Sequence, residues 1–174
     1  MHARAPVIGI VGWKNAGKTT LAARLVEELT GRGLRISTIK HAHHALRLDD
    51  EGTDSARHRA AGASQVAVVS SRRWALMTEG PEPDFEDIVA MLDPCDLIVV
   101  EGYKSQPIKK IETRRDQSES RGHGISESDP NVIAIAADHD IEGAAIPVFR
   151  LDDVSAIADF ILVSMEVSIP EGDQ

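Results

Sequence analysis

Cysteine is nearly missing from this sequence, in which Cys95 is the single one among 174 residues. One cysteine cannot form a disulfide framework, and it excludes a zinc site built from several cysteines. Long apolar runs are missing too, since no segment approaches the roughly 20 residues that a membrane span needs. The first residues, MHARAPVIGIVG, lack the apolar length and the cleavage site of a signal peptide. We therefore expect a cytoplasmic protein that does not enter a membrane.

Positive charge is outnumbered, because 28 aspartates and glutamates face 19 lysines and arginines, which gives a formal net charge of −9 at pH 7. This balance argues against non-specific nucleic-acid binding as the main task. Lysine and arginine occur throughout residues 1–121, whereas Arg150 is the only basic residue after Asp138. The uneven spread leaves room for a local basic pocket suited to phosphates.

The rest of the composition is typical of a globular chain. Hydrophobic residues make up 42% of the sequence, which is enough to build a buried core. The length suggests one domain. We expect this domain to cover residues 1–166, and we expect residues 167–174 to form a disordered acidic tail.

Strand and helix patterns alternate along the chain. Apolar runs at residues 7–11, 64–71, 96–101 and 131–138 predict strands, and amphipathic patterns between them predict helices. Several runs are apolar throughout, which is typical of parallel strands covered on both faces. Residues 115–130 are polar and predict a loop. The predicted fold class is α/β, with a mostly parallel sheet and helices on both faces.

The first apolar run leads directly into GWKNAGKTT, residues 12–20. This stretch matches the full G-x-x-x-x-G-K-[ST] pattern of the phosphate-binding loop (P-loop) of NTPases. Glycines let backbone amides turn toward phosphate oxygens, and the following helix presents its positive N-terminus. Lys18 places a positive charge on the β- and γ-phosphates and is also the predicted catalytic residue of the loop. The Thr19 hydroxyl can ligate Mg²⁺. The predicted nucleotide-binding residues of the loop are Gly12, Asn15, Ala16, Gly17, Lys18, Thr19 and Thr20.

A P-loop also needs an acidic residue near the Mg²⁺, at the end of a neighbouring strand. DLIVVE offers Asp96 and Glu101, which lie roughly 16 Å apart along a strand at about 3.3 Å per residue. Ligands bind at the carboxyl ends of parallel strands. This rule selects Glu101 for the metal and leaves Asp96 at the strand entry.

Residues 40–63, which follow a predicted strand, concentrate histidine and charge. One interpretation is a metal site, because His41 and His43 can reach the same ion from an extended chain. Another is a loop that holds the triphosphate or a second anionic ligand, in which Asp49 or Asp54 contacts Mg²⁺ through water or positions the attacking water. A solvated helix with ordinary surface charges is the third. The residues that the segment offers to a ligand are His41, His43, Arg57 and Arg59.

Recognition of guanine needs a carboxylate that accepts the ring N1–H and the exocyclic amine together. The sequence has no N-K-x-D motif, which supplies this carboxylate in common GTPases. Asp138 occupies the corresponding place after a late strand. We expect it to contact the nucleotide, although an ordinary turn aspartate is an equal alternative.

Five stretches carry a family resemblance when they are taken together. They are GIVGWKNAGKTTL, KHAHH, DSARHRAAGA, DLIVVEGYKSQPIKKIE and AIAAD, from about Val7 to Asp138. This combination resembles the molybdopterin-guanine dinucleotide biosynthesis protein B family. The P-loop alone is common to many families, whereas its combination with the histidine cluster, D-S-x-R-H and V-E-G-Y-K-x-x-P is far more specific.

The resemblance implies a P-loop GTP-binding protein, commonly a homodimer, with weak GTPase activity. Such a protein assists a companion nucleotidyltransferase that joins GMP from GTP to molybdopterin, and direct contact with molybdopterin is left open. By motif, the implied acidic residues near Mg²⁺ are Asp49 and Glu101. Family members often have another acidic residue where this chain has Arg47.

Two other functions fit parts of the sequence. The HAHH stretch fits a metallochaperone GTPase of the kind that loads nickel enzymes, although Cys95 lies at the wrong end of its strand to contribute. A small-molecule kinase would use residues 115–130 as a lid, with Arg114, Arg115 and Arg121 near its substrate.

Overall fold

The computed structural model describes residues 5–42, 49–50, 52–117 and 124–170. Its contacts divide the chain into two compact units. Residues 1–41 and 92–174 form one, here called the main unit, and residues 42–91 form the other, the small unit. The single domain expected for residues 1–166 stays a prediction.

The main unit is built on a six-stranded sheet with the order β2-β5-β1-β6-β7-β8, in which every neighbouring pair is parallel. The strands are β1 Val7–Gly12, β2 Ile36–Lys40, β5 Leu97–Glu101, β6 Lys110–Arg114, β7 Val132–Ala137 and β8 Val148–Arg150. This arrangement confirms the predicted α/β class. Parallel pairing brings the carboxyl ends of these strands to one edge, where ligands bind in such folds.

The core of the main unit joins helices to the sheet. α1 (Lys18–Gly31) and α4 (Val154–Ser164) share one hydrophobic cluster with Ile8 and Ile10 of β1. Leu97 and Val99 of β5 belong to this cluster. Because alternate residues of a strand point to opposite faces, Ile98 lies on the other face of β5, and it is buried too. Burial on both faces explains why β1, β7 and all but the last residue of β5 are apolar.

Local features explain where α1 and α4 begin. Gly17, with φ 92°, turns the chain into α1, whose buried residues Leu21, Leu25 and Leu29 repeat every four positions. This spacing places them along one side of the helix. Asp153 caps α4, because its side chain accepts a hydrogen bond from the Ala156 N–H at 3.2 Å.

The described residues of the small unit form two short helices and a strand pair. Thr53 caps α2 (Asp54–Ala60), as predicted, by accepting a hydrogen bond from the Ala56 N–H at 3.3 Å. β3 and β4 pair with each other in antiparallel fashion, in a sheet of their own. The bounds of the remaining elements are β3 Gln65–Val69, β4 Trp74–Thr78 and α3 Phe85–Met91.

Strand β6 is buried although much of it is polar. Its residue Glu112 is fully buried and accepts hydrogen bonds from the backbone N–H groups of Ile125 at 2.7 Å and Ser126 at 3.0 Å. These acceptors hold a 3₁₀ helix at Ile125–Glu127. Ordered structure therefore lies inside the polar segment at residues 115–130 that was predicted as a loop.

The described residues contain no helix that is long and apolar enough to cross a membrane.

Near the C-terminus, Val167 packs against the core of the main unit, and its N–H donates to the Leu162 carbonyl at 3.0 Å. Order thus extends just past residue 166, where the tail was expected to begin. Residues 171–174 lie outside the described range, so the disordered tail stays a prediction.

Candidate functional site: a P-loop and an adjoining pocket

The P-loop connects β1 to α1 at the carboxyl edge of the sheet. Gly12 is required there by packing, since a Cβ at this position would lie 2.7 Å from the Thr113 carbonyl oxygen of β6. Asn15 (φ 61°) and Gly17 (φ 92°) adopt left-handed conformations that curl the loop. The Ala16 N–H donates to the Trp13 carbonyl at 3.2 Å, which closes the turn.

The Lys18 ammonium lies inside this curl. It donates a hydrogen bond to the Trp13 carbonyl oxygen at 2.7 Å, so it points back over the loop. Burial lowers the pKa of Lys18, and the positive charge of Lys104 lowers it further. The Lys104 amine itself lies 4.2 Å from the centre of the Trp13 ring. The cations around the loop repel one another, and a polyphosphate anion would relieve that repulsion.

Thr19 and Glu101 meet at the predicted metal position. The Thr19 hydroxyl donates to Glu101 Oε1 at 2.6 Å, and Lys40 Nζ lies 3.6 Å from the other carboxylate oxygen. The Glu101 side chain is only 14% exposed. One hydroxyl and one carboxylate beside a phosphate cradle are the ligands that Mg²⁺ takes in P-loop sites. The fold therefore brings the two residues together, and their role as metal ligands stays a prediction.

The chain after Glu101 turns sharply. Gly102 has φ 96° and Tyr103 has φ 49°, and a Cβ at position 102 would lie 3.1 Å from the His41 Cβ. The rings of His41 and Tyr103 stack with centroids 4.4 Å apart. His41 is thus placed at the edge of the sheet beside the end of β5, where it was expected to meet a ligand.

Asp138 follows β7 at the same edge. Its Oδ1 accepts a hydrogen bond from the Asp116 N–H at 2.9 Å and lies 2.9 Å from His139 Nδ1. Burial raises the pKa of Asp138, but these two contacts outweigh burial and hold its pKa below the usual value. The carboxylate therefore ties the loop after β6 to the loop after β7.

A pocket of about 220 Å³ opens between α1 and the ends of β6, β7 and β8. Gly17 and Thr20 form its P-loop side, and Asp138 lies in its wall. The Arg115 guanidinium covers Gly17, where a Cβ would lie 3.0 Å from Arg115 Nε. The other lining residues are Leu21, Arg24, Arg150, Leu151 and Asp152. The pocket adjoins the phosphate loop and combines positive and negative side chains.

Several predicted site residues belong to the small unit. Asp49 and Arg59 form an ion pair with each other, and Arg59 Nη1 also donates to Glu79 at 2.9 Å. The Asp54 side chain is 92% exposed and lies 3.8 Å from Arg57. The side-chain partners that the structure gives these residues lie within their own unit.

The histidine cluster is described only in part. His43 and His44 lie outside the described residues. Within the described ranges, no group of three or more His, Cys, Asp or Glu side chains is placed to hold a metal ion. His41 and His43 together as one metal site stay a hypothesis.

Sequence reasoning missed several residues that the fold brings to this edge. Lys40 and Lys104 flank the P-loop, and Arg24 and Arg150 line the pocket. The sequence carried one usable signal, because Lys40 and Arg150 are each the last residue of a strand, and ligands bind at the carboxyl ends of parallel strands. Arg24 gave no such signal, since it lies in the middle of a helix.

A parallel sheet with this loop between its first strand and helix defines a P-loop protein of the NTPase fold class. A family model described as molybdopterin guanine dinucleotide synthesis protein B (MobB) matches residues 7–138. The chain belongs to this family, which confirms the resemblance found in the motifs.

Similar proteins match along almost the whole chain. The molybdopterin-guanine dinucleotide biosynthesis adapter protein of Haemophilus influenzae is 39% identical over 164 residues, covering 92% of this chain and 90% of the relative. The adapter protein of Escherichia coli is also 39% identical, covering 92% and 94%. The crystal structure of Bacillus subtilis MobB superposes with a TM-score of 0.72 at 26% identity, covering 97% of this chain and 99% of that one.

Proposed function

We propose that this protein binds GTP together with Mg²⁺, hydrolyses GTP weakly, and acts mainly as an adapter in molybdenum cofactor biosynthesis. The family and the relatives' names indicate that pathway. The adapter would assist a guanylyltransferase, the companion enzyme that attaches GMP to molybdopterin. Whether molybdopterin itself touches the chain is left open.

The observation that carries the proposal is the contact between Thr19 and Glu101 at 2.6 Å beside the P-loop. A hydroxyl and a carboxylate from elements 82 residues apart converge where Mg²⁺ would lie next to the β- and γ-phosphates. The fit is chemical, because both donors are oxygen and Mg²⁺ prefers oxygen. Bound there, the ion would neutralise charge on the phosphates.

Different residues of the chain would then contact different parts of the nucleotide. Lys18 would leave the Trp13 carbonyl and donate to the phosphates, since a charged acceptor makes the stronger hydrogen bond. The nucleoside would extend into the adjoining pocket, whose wall contains Asp138. The choice of guanine is proposed because carboxylates in that pocket can accept from N1–H and the exocyclic amine.

The remaining predicted residues keep proposed roles. Asp49 is proposed as a second acidic residue near Mg²⁺, and Asp54 as the residue that positions water for hydrolysis. His41, Arg57 and Arg59 are proposed as contacts to an anionic ligand. In the structure Asp49 is engaged with Arg59, so its proposed role requires that this ion pair opens.

We also propose that the protein is a cytoplasmic homodimer. Val69 and Trp74 are 75% and 70% exposed in the single chain. They lie directly opposite each other on one face of the β3–β4 pair, next to Leu76. Large apolar residues grouped in this way favour contact with a further protein surface.

Nucleotide choice tests the proposal directly. Isothermal titration with Mg²⁺ should show tighter binding of GTP than of ATP, and Lys18→Ala should weaken GTP binding. Lys14→Ala is the matched control, because Lys14 is an exposed lysine of the same loop and should change little. A preference for ATP would contradict the guanine assignment.

The adapter role needs a partner experiment. A pull-down with the companion guanylyltransferase should recover more complex with GTP than without it. Phosphate release by this chain alone should stay slow, because catalysis at P-loop sites depends strongly on a positioned arginine. Rapid turnover without the partner would contradict the adapter role.

A further inference from the structure

Among the described residues, two carboxylates line the pocket beside the P-loop, those of Asp138 and Asp152, and they differ in their hydrogen-bond partners. Asp138 holds the wall together, because its Oδ1 is engaged by the Asp116 N–H and by the His139 ring. Recognition of guanine requires both oxygens of one carboxylate, one for N1–H and one for the exocyclic amine. Asp138 can therefore offer only its other oxygen, Oδ2, to a guanine base unless its contacts with Asp116 and His139 break.

Asp152 also lines the pocket and follows shortly after the end of β8. Three hydrogen bonds hold the chain at this point: the neighbouring Leu151 N–H donates to the Ala137 carbonyl at 2.8 Å, and the Asp152 carbonyl accepts from Arg24 at 3.0 Å and from the Val154 N–H at 3.0 Å. Within the described part of the chain, no hydrogen bond or ion pair engages its carboxylate. A rigid backbone therefore carries a carboxylate with both oxygens available.

The pocket lies on the nucleoside side of the loop. Thr20 follows the predicted metal ligand Thr19 at the start of α1, and it lines this pocket together with Gly17. The β- and γ-phosphates face Lys18, so the α-phosphate and the nucleoside extend toward Thr20. A volume of about 220 Å³ is below the roughly 300–1,000 Å³ of pockets for drug-sized ligands, which suits one planar base.

We propose that Asp152 is the residue that selects guanine, by accepting hydrogen bonds from N1–H and the exocyclic amine, while Asp138 positions the wall of the pocket. Arg115 and Arg150 border the same pocket. Their planar guanidinium groups suit stacking on a base or pairing with the α-phosphate. This inference rests on the proposed binding of GTP.

The experiment exchanges the carboxylate for an amide and the base for its complement. Xanthine carries a carbonyl oxygen where guanine carries the exocyclic amine, so it needs a hydrogen-bond donor at that position, which asparagine has and aspartate lacks. The full-length chain, its Asp152→Asn variant and its Asp138→Asn variant are titrated with GTP, xanthosine triphosphate and ATP in the presence of Mg²⁺.

We expect Asp152→Asn to bind GTP at least about tenfold more weakly and to bind xanthosine triphosphate more tightly by a similar factor. Asp138→Asn should weaken the binding of all three nucleotides to a similar degree. It loosens the wall of the pocket but leaves the Asp152 carboxylate, which recognises the base, unchanged. A xanthosine gain in Asp138→Asn, or an unchanged GTP-to-xanthosine ratio in Asp152→Asn, would overturn the inference.

Two controls separate the possible failures. If wild-type chain prefers GTP over ATP and Asp152→Asn behaves like wild type, this inference fails alone. If wild-type chain shows no preference for GTP, the proposed function fails with it. Should Asp152→Asn melt at a lower temperature than wild type, Asp152→Ala is the second variant, which should lose GTP preference without gaining xanthosine.

Discussion

Asp96 and Glu101 lie at opposite ends of β5, and the register of the sheet separates their roles. Glu101 pairs with Lys40 of β2 and Ile10 of β1 and reaches Thr19 of the P-loop. The Asp96 carboxylate instead accepts the Arg35 N–H at 2.6 Å at the entry of the strand. For a single residue, position along a parallel strand thus separates a carboxylate at the proposed ligand-binding edge from a structural carboxylate at the strand entry.

Glu101→Gln should remove most of the Mg²⁺ dependence of GTP binding. The amide keeps the shape of the side chain but lacks the negative charge that attracts the ion. We expect the apparent affinity for Mg²⁺ to fall by about tenfold or more, which is the usual effect of mutating a residue at a metal site. A Mg²⁺ titration of GTP binding measures it.

The control for Glu101→Gln is Asp96→Asn, made on the same strand. This variant should leave the Mg²⁺ titration unchanged even if it lowers the melting temperature slightly. Equal loss of Mg²⁺ dependence in both variants would point to a general distortion of β5 rather than to a metal ligand at Glu101.

A buried ion pair gives the residue scale a second prediction. Lys110 is 1% exposed, and its amine donates to Asp129 at 2.6 Å. Asp129→Asn would leave the lysine charge buried without its counter-ion, which costs about 3–5 kcal/mol of unfolding free energy. Urea unfolding at pH 7 measures this difference, and adding Lys110→Met to Asp129→Asn should recover part of the loss.

The same pair predicts a dependence on pH. Burial raises the pKa of Asp129, but the hydrogen bonds from Lys110 and Asn131 outweigh burial and leave its pKa below the usual value. A lowered folded-state pKa stabilises the fold above the unfolded value of about 3.9, and this stability is lost as the pH falls through the folded pKa. Wild type and Asp129→Asn should therefore converge in acid, and a difference that persists there would contradict the electrostatic cause.

At the scale of the element, the P-loop is shaped by what surrounds it as much as by its own glycines. Asn15 and Gly17 supply the left-handed turns, whereas Gly12 is required because β6 passes directly beside it. The motif in the sequence does not distinguish these two reasons. The structure does, because only Gly12 meets a neighbouring backbone oxygen.

Gly12→Ala should destabilise the fold by about 1–3 kcal/mol, the usual cost of an added methyl group in a packed site. It should also weaken GTP binding, because relief of the clash moves the start of the loop. Gly31→Ala is the matched control, since a Cβ at the end of α1 meets nothing within 4 Å and alanine favours a helix. Chemical unfolding and nucleotide titration check both variants, and equal stability of the two would contradict the packing argument.

Most elements could be predicted from periodicity and capping. The start of α2 after Thr53 and the all-apolar strands carried clear local signals. The 3₁₀ helix at Ile125–Glu127 did not, because it is held by Glu112, a residue on another element. The separate sheet of β3 and β4 could not be predicted either, because the sequence of a short apolar strand does not indicate which sheet it joins.

At the scale of the whole molecule, one face of the β3–β4 pair is apolar and exposed. Ala67 lies opposite Leu76, and Val69 lies opposite Trp74, so the four side chains share one face. The other face carries Val66 and Met77, which are buried. A net charge of −9 disfavours non-specific self-association, so a dimer needs a specific surface of this kind.

Trp74→Glu should convert the proposed dimer into a monomer, because it places a charge in the centre of an apolar contact. Light scattering after size-exclusion chromatography measures the mass. Val163→Glu is the matched control, since Val163 is an exposed apolar residue of α4 and should leave the mass unchanged. A monomeric wild type, or a dimeric Trp74→Glu variant, would rule this surface out.

Sequence patterns alone were enough to predict the P-loop and the α/β class, and they also led to Glu101 as the acidic residue that is proposed near Mg²⁺. Each of these follows from local spacing and from the general rule that ligands bind at the carboxyl ends of parallel strands. Which of the two carboxylates beside the pocket already has hydrogen-bond partners became visible only in the folded chain. Asp138 and Asp152 are both aspartates at strand ends, and the difference between them is the Asp116 N–H and the His139 ring around Asp138. Contacts between segments that are distant in sequence leave no periodic signal, so the choice between the two residues depended on the folded chain.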